Sequence, residues 1–156
     1  MKLLSARYHK PALAVFCLSL VAGMFFLVFW PEYDLLNLKV PALYADELLQ
    51  PEGKWLVWVR NNVLDEIISL VLIVSGLIVM FSAVEEEDEF MERLRLESFR
   101  WAVLISYIIL MIAIAGFYGL GFLWVMVINI FAVLILFVCR FECLRYRLKK
   151  HTEHEK

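Results

Sequence analysis

Four stretches of this chain, residues 12–30, 67–84, 101–116 and 122–139, contain no Lys, Arg, Asp, Glu or His. A helix needs roughly 20 predominantly apolar residues to cross ~30 Å of hydrocarbon, and each stretch reaches that length with its apolar and aromatic flanks. In lipid every backbone N–H and C=O must be paired within the protein, and the stretches lack the in/out alternation of a membrane β-strand, so helices are expected. The expected fold class is therefore all-α and integral to a membrane. Four transmembrane helices are expected over about 12–30, 66–84, 100–117 and 121–139. With 63% apolar residues in 156 and a mean hydropathy of +0.76, little chain remains for a soluble domain, and one membrane domain over 1–156 is expected.

The charges set the expected orientation. Lys2, Arg7 and Lys10 precede the first span, Arg93, Arg95 and Arg100 lie between spans two and three, and Arg140, Arg145, Arg147, Lys149, Lys150 and Lys156 follow span four. The loop after span one holds Lys39, Lys54 and Arg60 beside seven acids. Positive-inside logic places both termini, a hairpin at 85–99 and a tail at 140–156 in the cytoplasm, and the loop 31–65 outside as a small extracytoplasmic cap. The first run is too long for a cleaved leader, lacks an Ala-x-Ala ending and closes on Phe25, Phe26, Phe29, Trp30 and Pro31. It reads as an uncleaved signal anchor.

Within the outer loop, Leu36, Leu38 and Val40 alternate with Asn37 and Lys39, a short strand pattern expected to stop at Pro41. Residues 43–49 suit a helical turn or two, and Pro51, Glu52 and Gly53 mark a turn. Trp55 and Trp58, three apart, fit one face of a helix that starts near Lys54 on the membrane surface and enters the bilayer past Asp65 and Glu66. Spans three and four are joined by residues 117–121 only, so they are antiparallel neighbours, and Ala115 with Gly119 makes a small-xxx-small pair near the tip. Ser75 and Gly76 allow a similar close approach in the middle of span two.

Glu85, Glu86, Glu87, Asp88 and Glu89 are consecutive acids. They sit badly at the end of span two and well at the start of the next helix, because of the helix dipole. A helix from about Glu87 into span three is supported by Glu89 with Arg93, Glu92 with Arg95 and Arg93 with Glu97. This segment reads either as a solvated hairpin or as a docking surface made of Glu85–Glu89, Arg93, Arg95 and Glu97. A cation site is a poorer fit, since contiguous helical acids diverge.

The segment Leu64-Asp-Glu-Ile67, the acids through Glu87-Asp-Glu89, Leu94-Arg-Leu-Glu-Ser98, Trp101-Ala-Val103, Asn129 and Arg140-Phe141 together resemble a family of small four-span inner-membrane proteins of the Bacteroides group of bacteria. The resemblance covers residues 62–143. At Ala83-Val84 the chain departs from the basic and acidic pair that the family more often carries. The resemblance implies a four-span architecture and an inner-membrane location, and no activity.

No ionisable residue lies at mid-depth in a span, which disfavours a proton-coupled exporter. Asn129 is the one strongly polar residue in a span, with Ser75, Ser106 or Tyr107 as candidate partners on neighbouring helices. His9, His151 and His154 read as tail residues and not as haem ligands. Cys17 and Cys139 read as apolar packing residues, and no disulfide framework is expected. No catalytic residue, cofactor, metal or nucleic-acid partner is expected. The expected role is a non-catalytic interaction or scaffold subunit of the bacterial inner membrane whose partners are the lipid bilayer and a cytoplasmic or membrane protein. The alternative is a homo-oligomeric channel or small-solute transporter with Asn129, Ser106 and Tyr107 along a polar path.

Overall fold

The computed structural model describes residues 4–29, 36–45, 54–84 and 89–154. Four helices account for most of it: α1 (His9–Phe29), α2 (Leu64–Phe81), α3 (Glu89–Gly116) and α4 (Leu120–His154). Each contains a segment long and apolar enough to cross a membrane. A two-stranded antiparallel sheet, β1 (Asn37–Ala45) with β2 (Lys54–Asn62), lies between α1 and α2 in sequence. The chain divides into two compact units, Met1–Phe16 with Ile73–Lys156, and Cys17–Leu72.

In the unit that carries both termini, α3 and α4 are joined by a tight turn. Gly119 has φ +66, a left-handed conformation that glycine adopts without a Cβ penalty, and the Phe122 N–H donates to its carbonyl at 3.1 Å. Ala113, near this tip, is buried, but the glycines of the tip do not serve a close helix approach. A Cβ built on Gly116, Gly119 or Gly121 meets nothing within 4 Å. The close approach is at Gly76 of α2, where a Cβ would lie 3.0 Å from the Phe16 ring and 3.3 Å from Leu134 Cδ1. Phe16, Val79, Ala102, Phe137 and Phe141 form the most deeply buried apolar set of this unit.

The first residues of the chain belong to the same unit. The Leu4 N–H donates to the Phe81 carbonyl at 2.9 Å and the Ala83 N–H to the Leu4 carbonyl at 2.8 Å, a parallel bridge that ties the start of the chain to the end of α2. A 3-10 turn at Ala6–Tyr8 then leads into α1, where Pro11 falls in the first turn and removes no intrahelical bond. At ~1.5 Å per residue, the 28 residues of α3 and 35 of α4 outrun ~30 Å of hydrocarbon. The segment expected as a tail from Arg140 is thus a helical continuation of the span.

The second unit corrects the reading of the outer loop. β1 continues through Pro41 to Ala45, and Lys54–Asn62 is a strand, so α2 begins at Leu64 and not near Lys54. Proline is tolerated because each strand of a two-stranded sheet is an edge. An odd separation in a strand also puts Trp55 and Trp58 on opposite faces, unlike the shared helical face expected of them. The expected turn at Pro51–Gly53 lies outside the described residues. The passage from β2 to α2 takes a single residue: the Val63 carbonyl accepts the Ile67 N–H at 3.1 Å, and the Asn61 amide donates to Glu66. Asp65 and Glu66 in the first turn complement the helix dipole.

Candidate functional site

The densest polar chemistry of the described residues lies in the terminal unit, where the aqueous extensions of α3 and α4 meet the first turn of α1. His9 opens α1 and is 2% exposed, so it is a core residue and not the tail residue expected. Its Nε2 lies 2.8 Å from Oε1 of Glu142 and 2.6 Å from Nη1 of Arg145, and that nitrogen donates to the same Oε1 at 3.0 Å. One ring nitrogen cannot serve both neighbours, because it either carries a proton for Glu142 or a lone pair for Arg145. Nδ1 is buried with no partner among the described residues. Arg145 also donates to Glu142, so the three side chains close a triangle, and the tautomer of the ring decides which of its two neighbours Nε2 serves.

Phe141 seats this cluster. Its ring stacks on Phe137 with centroids 5.7 Å apart, meets His9 edge-on at 6.3 Å, and lies 5.5 Å from the Arg95 guanidinium carbon. Arg95 is buried on α3 and donates from Nη2 to the Ser82 carbonyl at 3.0 Å. That carbonyl follows the end of α2, so the arginine closes a backbone acceptor that the helix leaves open. Ser98, fully buried, donates to the Leu94 carbonyl one turn back at 2.7 Å. One turn nearer the bilayer, Arg140 pairs with Glu97 at 3.0 Å and its guanidinium carbon lies 4.7 Å from the Trp101 ring centroid. These contacts lock the two extensions together. They supply no nucleophile with an aligned base, and the arrangement is one of positioning.

The residues expected to form a docking surface divide. Glu85, Glu86, Glu87 and Asp88 lie outside the described residues. Glu89, Arg93 and Glu97 are exposed on α3, with Glu92, Leu96, Phe99 and Arg100 also exposed, whereas Arg95 is turned inward and does not belong to that surface. The residues expected near a polar path divide as well. Asn129 Nδ2 donates to the Ser106 backbone carbonyl at 3.2 Å, joining α3 to α4. Ser75 and Ser106 are buried, but Tyr107 is 64% exposed on the helix surface, so Ser106 and Tyr107 face different ways. Cys17, Cys139 and Cys143 are exposed thiols, in contrast to the packed state expected of the first two. The side chains of His151 and His154 lie outside the described residues.

Sequence reasoning missed His9, and with it the triangle. The available signal was an i,i+3 carboxylate–guanidinium pair, Glu142 and Arg145, on the face that Phe141 adjoins. Comparisons with protein-family models, with curated proteins and with solved structures give no match.

Proposed function

We propose that this multi-pass membrane protein is a non-catalytic interaction subunit that presents the aqueous extension of α3 to a protein partner. The observation that carries this reading is the exposed side of α3. Leu96 and Phe99, three residues apart, stand open there beside Glu92, Arg93 and Arg100, while Leu94, Arg95 and Ser98 on the opposite side are buried, with Arg95 held by the Ser82 carbonyl and set against Phe141 of α4. Single exposed apolar residues are ordinary on a soluble surface. Here they share a mixed-charge face on a helix that is held rigid from behind, which favours a specific partner over loose solvation. The basic flanks of the spans support a location of this face in the cytoplasm, and on this reading the membrane is the bacterial inner membrane.

The channel alternative receives less support, because Asn129 is engaged by the Ser106 carbonyl and Tyr107 points elsewhere. A photo-cross-linking residue at position 96 or 99, introduced in living cells, tests the docking reading. One protein adduct of constant mass is expected at both positions, lost when Arg93→Glu reverses the charge beside them and retained in Asn129→Leu. Adducts only with a second copy of the chain, or only with lipid, would overturn it.

A further inference from the structure

We propose that the β1–β2 sheet lies on the membrane surface and binds the phosphates of anionic phospholipid through a cationic pair, Lys39 and Arg60. The register makes these two residues direct cross-strand partners, so their side chains leave the same face of the sheet. Like charges placed directly opposite one another destabilise a strand pair. Neither strand contains Asp or Glu, and neither cation has a partner among the described residues. Among the described residues this pair of positive charges is therefore left for an anion from outside to neutralise.

Position identifies that anion. The 18 residues of α2 span ~27 Å at ~1.5 Å per residue, barely the thickness of the hydrocarbon, so Leu64 must stand at its edge. Arg60 precedes Leu64 by four residues, at most ~13 Å of extended chain, and a snorkelling side chain shortens the remaining distance. The cations are thus within reach of the headgroup layer whatever the tilt of the sheet. The rest of the face suits the same layer. Pro41 and Trp58 are the next pair on this face, and Leu43 lies beyond them on β1. Trp58 and Leu43 are 68% and 76% exposed, an indole and a leucyl side chain beside two cations, the combination that interfacial segments use. Leu56, on the same face, is 78% exposed and holds a left-handed backbone at φ +56. The opposite face carries Val40, Ala42, Val57 and Val59, partly buried, with the exposed Leu38, Tyr44 and Trp55, and it holds no cation, so the positive charge distinguishes the two faces.

The test uses the full chain, with Cys17, Cys139 and Cys143 replaced by Ser, in nanodiscs of phosphatidylcholine with or without phosphatidylglycerol. Leu43→Cys on the cationic face and Tyr44→Cys on the other report their reaction rates with a water-soluble maleimide. Phosphatidylglycerol should slow labelling at position 43 by roughly ten- to thirty-fold, the ratio two charges at an anionic surface supply, with recovery in high salt and little change at position 44. Lys39→Gln with Arg60→Gln should abolish the response. This double variant removes a repulsion, so in neutral detergent its melting temperature should equal or exceed that of the parent. A rate at position 43 indifferent to phosphatidylglycerol, equal slowing at both positions, or a response that survives the double variant would each overturn the proposal. Indifference to lipid would return the face to a protein partner.

Discussion

Gly76→Ala adds one methyl group where three helices meet. The new Cβ would lie 3.0 and 3.2 Å from two carbons of the Phe16 ring and 3.3 Å from Leu134 Cδ1. Carbon atoms prefer separations of roughly 3.5–4.0 Å, so neighbours must yield by about half an ångström. Phe16 is buried, so its ring can move only by displacing its neighbours. Overpacking of this kind costs about 1–3 kcal/mol, against about 1 kcal/mol gained when alanine replaces glycine in a helix. The expected net loss is about 1 kcal/mol. Phe16→Leu relieves the clash by shortening the side chain, at a cost of about 1 kcal/mol from the gap it leaves beside Gly76.

The two changes should then compensate. In the double variant the alanine methyl occupies the space the ring vacates, and stability should return to within about 0.5 kcal/mol of the parent, a coupling of about 1.5 kcal/mol. Reversible unfolding in mixed micelles of mild detergent and dodecyl sulfate, followed by far-ultraviolet circular dichroism, measures all four corners of the cycle. Additivity within about 0.3 kcal/mol would refute the contact, since groups that do not touch show no coupling.

Asn129→Leu should cost about 1 kcal/mol, the loss of an interhelical bond in lipid, and Asn129→Gln should not rescue it because the longer amide overshoots the Ser106 carbonyl; the same micelle titration checks both. Arg140→Ala should cost about 1 kcal/mol, mostly from the Trp101 contact, because Glu97 is largely exposed and its ion pair is screened; high salt should leave most of the loss intact, and Trp101 emission should shift to the red. Glu142→Gln should cost about 1–3 kcal/mol, since it leaves Arg145 half-buried without its carboxylate, and proteolysis near Arg7 should accelerate as the start of α1 loosens.

The spans were legible because lipid imposes one local requirement, apolar length, that any window of sequence either meets or fails. The helical extension from Glu89 was legible for a similar reason, since the dipole argument is local to one helix end. The strand pair was not. Trp55 and Trp58 at a separation of three mimic helical periodicity, and Pro41 mimics a stop, while the sheet depends on register between two segments that sequence inspection treats one at a time. His9 failed for the same physical reason. A histidine beside Arg7, Tyr8 and Lys10 reads as polar flank until α4 brings Glu142 and Arg145 to it across 133 residues of chain. Arg95 also changed character: its spacing from Glu92 suits a surface pair, but only tertiary structure supplies the Ser82 carbonyl that turns it inward.

Lipid removes the hydrophobic drive between helices, so the stability of a helix pair must come from packing and polar bonds. In the α3–α4 hairpin these run from the base through the Asn129–Ser106 bond to Ala113 and give out at the glycines of the tip. Ala102, Phe137 and Phe141 are buried together with Ser98 and Arg95 at the base, whereas a Cβ at each glycine of the tip meets open space. Both ends of the hairpin reach an aqueous boundary, so water access alone predicts similar amide exchange at 98–102 and 137–141 as at 114–123. Packing predicts otherwise. In nanodiscs, exchange at the tip should be at least tenfold faster, about 1.4 kcal/mol easier to open, and Ala102→Leu should narrow the gap by loosening the base alone. Equal protection at both ends would mean that lipid, and not the contacts around Phe141, holds these helices together.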